Sequence, residues 1–112
     1  MVDDEPLIAD TLAEILTNAG FDAVRFYDSR LALSEAERRC PDILLTDVVM
    51  PYLDGIELAT SVVKRCPTAR VLLLSGYTAG ADLVEPAWHK GKRFELLSKP
   101  LDPRVLLRKL AA

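Results

Sequence analysis

Apolar positions recur along the chain with two different periods, and the two alternate. Ile8, Leu12, Ile15, Leu16 and Ala19 follow the 3.6-residue rhythm of a helix, with Pro6 suited to its first turn and Gly20 to its C-terminal stop. DAVRFY (22–27) then reads as a short strand. A second helix starts near Asp28 or Ser29 and carries Leu33, Ala36 and Cys40 on one face. DILLTD (42–47) is a nearly continuous apolar run, the pattern of a strand covered on both faces. A third helix, from about Asp54, aligns Ile56, Ala59, Val63 and Cys66. ARVLLLSG (69–76) is another buried strand and FELLS (94–98) a shorter one. Asp102 and Pro103 cap and start a last helix with Leu106, Leu107 and Leu110. Between them, segment 78–92 contains Gly80, Pro86 and Gly91 and reads as one or two helical turns followed by a loop.

Strands alternating with helices imply a parallel sheet covered on both faces, with ligands bound at the carboxyl ends of the strands. RRCPD (38–42) and KRCPT (64–68) echo one another. Each closes a helix before a buried strand, so the echo reads as a recurring joint rather than a functional repeat. Its two cysteines, 26 positions apart, suggest neither a zinc site nor a disulfide framework and are assigned to helix-face packing.

With 112 residues the chain is expected to form one domain, 1–112. Half the residues are hydrophobic and 28% are charged, a globular balance. A net charge of −3 gives the protein no electrostatic reason to seek nucleic acid or an anionic membrane. The longest apolar runs, such as VLLL (71–74), are too short to span a bilayer, and Met1 is followed by Val-Asp-Asp-Glu rather than a signal sequence. A cytosolic domain fits best.

Four strand ends then bring polar groups to one edge of the sheet: Asp3 or Asp4, Asp47, Ser75, and Ser98 or Lys99. Carboxylates about 5 Å apart repel by roughly 3 kcal/mol per pair at an effective dielectric near 20. Lys99 offsets only one of the three charges, so the cluster calls for a divalent cation, and all-oxygen ligation favours magnesium or manganese. The competing reading of Asp3 and Asp4 is as plain caps of the first helix.

DVVMPYLDG (47–55) resembles the D-x-x-M-P-x-x-D-G signature of bacterial response-regulator receiver domains, the CheY-like modules of two-component signalling. VDDEP (2–6) resembles that family's acidic pair, LLLSG (72–76) its fourth strand with a terminal Ser or Thr, and LLSKP (96–100) its Lys-Pro after the fifth. The four motifs occur in the family's order and spacing. The resemblance implies a flavodoxin-like, doubly wound α/β fold with a five-stranded parallel sheet of order 2-1-3-4-5 and helices on both faces. It implies Asp47 as phosphoacceptor from a histidine kinase or phosphotransfer protein. It further implies magnesium ligation by Asp4, by Asp3 through water, by Asp47 and by the Val49 carbonyl. Ser75 and Lys99 would hold the phosphoryl group, and Pro100 would follow a cis peptide that aims the lysine inward.

The chain also departs from that pattern. Only Met1 and Val2 precede the acidic pair, so the first strand looks truncated, with lowered stability and exposed edges through which a second copy could pair. Leu96 stands where the family often has a rotating Tyr or Phe, so the readout there is not aromatic; Tyr77 and Phe94 are alternative reporters, with packing the plainer assignment. Val49 and Tyr77 flank the expected phosphoryl site and favour slow self-dephosphorylation. Trp88 reads as a ring folded over the sheet and His89 as a surface residue. The output is a downstream protein or an output domain outside the chain. Three other readings compete: a receiver-like scaffold that is not phosphorylated, a phosphatase of the haloacid-dehalogenase type, and a nucleotide-binding α/β protein. The phosphatase family wants D-x-D where this chain has adjacent aspartates, and Asp3 and Asp4 would repel a nucleotide phosphate.

Overall fold

The structure is a computed structural model that describes residues 1–75, 94–99 and 101–111. Tyr77, the proposed fourth helix with Trp88 and His89, and Pro100 lie outside the described residues. In chain order the elements are α1 (Pro6–Asn18), α2 (Ser29–Arg38), β1 (Ile43–Asp47), α3 (Gly55–Arg65), β2 (Arg70–Ser75), β3 (Glu95–Ser98) and α4 (Pro103–Ala111).

The helix ends follow the local chemistry of the sequence. At the end of α1, Gly20 takes φ of +100° while its N–H donates to Thr17 and the Phe21 N–H donates back to Leu16. That pair of bonds satisfies the last carbonyls, and the left-handed turn is where glycine costs least. Asp28 caps α2 by accepting from the Arg30 N–H at 2.9 Å.

β1, β2 and β3 form a parallel sheet in that order, with Leu45 opposite Leu72 and Leu73 opposite Leu96. Side chains alternate across it. Leu44, Val71, Leu73 and Phe94 pack with α2 and α3 through Ala32, Ala36, Leu58, Ala59 and Val62. Leu45, Leu72, Leu74 and Leu97 pack on the other face with Leu12 and Leu16 of α1 and Leu106 of α4. Covering both faces explains why VLLL shows no polar alternation. Phe94 is core, in keeping with its reading as packing.

Three expectations are corrected. Residues 22–27 do not form a strand, and the start of the chain does not form a regular one. Instead Val2 makes isolated parallel bridges to Thr46 on one side and Phe26 on the other. Its N–H donates to Leu45 and its carbonyl accepts from Asp47, while the Phe26 N–H donates to the Met1 carbonyl. Two residues ahead of the acidic pair supply a single rung, too little for a ladder. The described residues therefore hold a three-stranded sheet, with Val2 and Phe26 lined up beside it. On α3, the buried stripe is Leu58, Ala59 and Val62, with Ile56 and Val63 only half buried.

The third correction is the cysteines. Cys40 and Cys66 form a disulfide with Cα atoms 5.7 Å apart. Helices α2 and α3 lie side by side on one face, so equivalent joints at their C-terminal ends become neighbours. The RRCPD and KRCPT echo was the signal. Arg70 fastens the same rim of the sheet, the amino ends of the strands. Its guanidinium donates to Glu95 at 2.6 and 2.9 Å and to the Lys109 carbonyl at 2.6 Å, joining β2, β3 and α4.

Candidate functional site: an acidic cluster at the carboxyl rim of the sheet

The opposite rim gathers the polar strand ends. Asp47 closes β1, Ser75 closes β2 and Ser98 closes β3, with Lys99 next. The Lys99 N–H donates to the Ser75 carbonyl at 2.8 Å, which carries the lysine past the end of the sheet. Its Nζ then lies 3.1 Å from Asp47 Oδ2 and 3.5 Å from Asp3 Oδ2.

Asp3 follows Val2 directly, so the single rung that anchors Val2 also positions this carboxylate. It is fully buried. One oxygen accepts the Glu5 N–H at 2.9 Å ahead of α1, so Asp3 helps to begin the helix, although Glu5 holds the cap position. The other oxygen, Oδ2, is buried without a hydrogen-bond donor; Lys99 approaches it only as an ion-pair partner at 3.5 Å. A buried carboxylate oxygen left in that condition is costly, which makes it a place for a cation. Asp4 is exposed at the rim, and one oxygen from each of Asp3, Asp4 and Asp47 falls within 4.8 Å of the others. Three carboxylates against one lysine fit a hard divalent ion with oxygen ligands.

Asp47 holds its proton more tightly than an ordinary aspartate. Burial pushes its pKa up most; the hydrogen bond and charge of Lys99 pull it back, and Asp3 pushes it up again. For Lys99, burial alone would lower the pKa. The hydrogen bond and charge of Asp47, with the nearby Asp3, outweigh that burial and raise it. The pair is thus held as an ion pair by proximity, in a place where the extra carboxylate keeps it under tension.

The loop after Asp47 is built around it. Val48 and Met50 turn into the core, and Val49 between them is exposed. The Val48 N–H donates to Leu74, and the Val48 carbonyl accepts from the Gly55 N–H at 2.8 Å. Asp54 caps α3, accepting from the Ile56 and Glu57 N–H groups at 2.9 and 2.8 Å. Gly55 sits so close that a Cβ there would fall 2.0 Å from the Asp47 carbonyl oxygen and 2.9 Å from the Val48 Cα. The final Asp-Gly of the motif therefore joins the first turn of α3 to the backbone of Asp47. Ser29, read from sequence only as a candidate start of α2, is buried there and donates to the Leu53 carbonyl of the same loop at 2.6 Å.

Of the residues singled out from sequence, Asp3, Asp4, Asp47 and Lys99 meet at this rim. Ser75, buried at the end of β2, pairs in register with Ser98. Leu96 is exposed on β3. Tyr77 and Pro100 lie outside the described residues.

Comparison with known proteins agrees with this arrangement. The chain is 31% identical over 102 residues to the DNA-binding transcriptional regulator NtrC of Klebsiella pneumoniae, covering 91% of this chain and 21% of that protein. It therefore spans about a fifth of the length of the curated NtrC relatives it matches. Among solved structures, it resembles a two component transcriptional regulator AraC from Clostridium phytofermentans at a TM-score of 0.82 and 34% identity, covering 97% of this chain and 85% of that one. It also resembles the chemotaxis protein CheY4 of Vibrio cholerae at a TM-score of 0.85 and 28% identity, covering 98% and 92%. Such neighbours share the flavodoxin-like α/β receiver fold. The family model for the response regulator receiver domain matches residues 1–111, and the chain belongs to that family.

Proposed function

We propose that residues 1–112 form one phosphoacceptor receiver unit in which Asp47 takes a phosphoryl group from a phosphohistidine. The donor is a histidine kinase or a phosphotransfer protein. An Asp47 carboxylate oxygen attacks phosphorus, the P–N bond breaks and the imidazole leaves, giving an acyl phosphate. Lys99, already 3.1 Å from Asp47, offsets charge on the transferring group, and Ser75 donates its hydroxyl to the group once attached. Asp3, Asp4, Asp47 and the Val49 carbonyl would hold magnesium or manganese, which supplies the further positive charge that phosphoryl oxygens need. One observation carries the reading: the buried Asp3 Oδ2, without a hydrogen-bond donor, sits in a three-carboxylate cluster beside Lys99.

Phosphorylation replaces a group of charge −1 by one of about −2. The pull on Ser75 and Lys99 then biases two packings of the adjoining surface, so the protein acts as a switch rather than a turnover enzyme. The exposed Val49 beside Asp47 disfavours positioned water and makes the acyl phosphate long-lived. The isolated bridges of Val2 to Thr46 and to Phe26 support the family's order 2-1-3-4-5, with Val2 and Phe26 at the places of its first two strands. A cytoplasmic setting suits this chemistry, and no helix among the described residues is long and apolar enough to cross a membrane. The readout goes to a downstream protein, an output domain or a second copy of the chain.

Incubation with magnesium and acetyl phosphate, followed by intact mass measurement, tests the assignment. The wild type gains one phosphoryl group and Asp47→Asn gains none. A wild type that stays at its unmodified mass while folded would instead leave the unphosphorylated scaffold as the function.

A further inference from the structure

The two sulfurs of the Cys40–Cys66 disulfide sit in unequal settings. Cys66 is buried, its Sγ 3.8 Å from the Ala36 carbonyl, whereas Cys40 lies exposed beyond the end of α2. Thiol–disulfide exchange needs a thiolate to reach one sulfur while the other departs. Here only Cys40 is open to that approach. Beside it is an open basin lined by Glu37, Arg38, Ser61, Lys64 and Arg65; with Glu35, which pairs with Arg38 at 2.9 Å, three cations stand against two anions. Arg65 bridges the two helices at this point, donating to the Glu37 carbonyl at 2.9 and 3.1 Å. The basin is thus positive on a chain whose net charge is −3.

We propose that Cys40 is a thiol-exchange site: a small anionic thiol of the glutathione class is drawn to this basin and opens the disulfide through a mixed disulfide on Cys40. Its thiolate sulfur bonds to Cys40 Sγ as the Cys40–Cys66 bond breaks. The electron pair leaves on Cys66 Sγ, which takes up a proton. A second thiolate attacks the small thiol's sulfur in the mixed disulfide and releases Cys40. In sum, two small thiols are oxidised to one disulfide, and the protein disulfide gains two electrons and two protons. The reverse reaction, with the oxidised small thiol, closes the bond. Opening removes the covalent tie between the C-terminal ends of α2 and α3 and leaves them joined by the Arg65–Glu37 hydrogen bonds, with the Ser29–Leu53 hydrogen bond at the other end of α2. The site therefore reports the state of the thiol pool, independently of Asp47.

The test uses the oxidised full chain at low ionic strength, with glutathione or with uncharged 2-mercaptoethanol as attacking thiol. Each rate is divided by that thiol's rate against a simple small-molecule disulfide. Glutathione should be favoured by about 3- to 10-fold, and about 0.5 M salt should erase the advantage, because screening removes a surface attraction of this kind. Acid-quenched peptide mapping should find the adduct on Cys40. Lys64→Ala should reduce the glutathione preference while leaving the rate with 2-mercaptoethanol unchanged. Three results would overturn the proposal: both cysteines alkylating freely in the air-oxidised protein, equal normalised rates for the two thiols, or the adduct on Cys66. All three are read on the wild type and need no variant to fold.

Discussion

Asp47 and Lys99 both keep their protons longer in the folded chain than they would in water, and the two shifts have opposite bearings on function. For Asp47 the folded pKa lies above the unfolded one because burial disfavours the carboxylate. That contribution to stability is present below the ordinary carboxylate pKa of about 4 and is lost as pH rises through the folded value. Asp47→Asn keeps the shape and removes the titration. Without metal, the wild type should therefore lose stability relative to Asp47→Asn as pH climbs from about 4, measured as the gap between urea midpoints. A gap that closes with rising pH would contradict the assignment. Magnesium must displace the same proton, so its affinity by calorimetry should rise with pH and level off once Asp47 is ionised. For Lys99 the raised pKa keeps the ammonium charged throughout that range. Lys99→Met should cost the metal-free protein about 2 kcal/mol in urea unfolding, since it leaves two buried carboxylates facing each other. Saturating magnesium should return part of that loss.

At the scale of elements, the first turn of α3 is the part whose placement allows the least tolerance. Gly55 has no room for a Cβ against the Asp47 backbone, and that backbone is held on its far side by β2 through Val48. Gly55→Ala should destabilise the fold by about 3 kcal/mol and slow phosphorylation at Asp47, because the carboxylate and the helix must move apart together. Asp54→Ala, which removes only the cap, should cost about 1 kcal/mol and leave the phosphorylation rate near that of the wild type. Thermal melts and acetyl phosphate labelling of the two variants separate close approach from capping. Much of this was legible in the sequence, since the motif, the proline and glycine punctuation and the apolar periods fixed α1, α2, β1, β2, β3 and α4 to within a residue or two. The contact of Gly55 was not, because spacing gives order along the chain and not the distance between a helix and the strand before it. The strand expected at 22–27 failed for a related reason: its composition suits a strand, but a ladder needs partners, and Met1 and Val2 supply one rung.

For the molecule as a whole, the disulfide was the property least visible in composition. Two cysteines 26 residues apart become neighbours only once α2 and α3 lie on the same face of the sheet. By chain entropy alone, a cross-link closing a loop of that length contributes about 3.5 kcal/mol. Reduction, or Cys40→Ser with Cys66→Ser, should lower the melting temperature by on the order of 10 °C. An unchanged melting temperature would mean the bond is absent in solution. The Arg70 clasp described earlier has a further reach. It and the disulfide both bind the amino ends of the strands, whereas Asp47, Ser75 and Lys99 stand at the other end. A molecule sewn shut along one border flexes along the border left unsewn. Amide exchange should therefore be slowest near Arg70 and Cys66, and any motion driven by chemistry at Asp47 should fan out like the free edge of a hinged leaf.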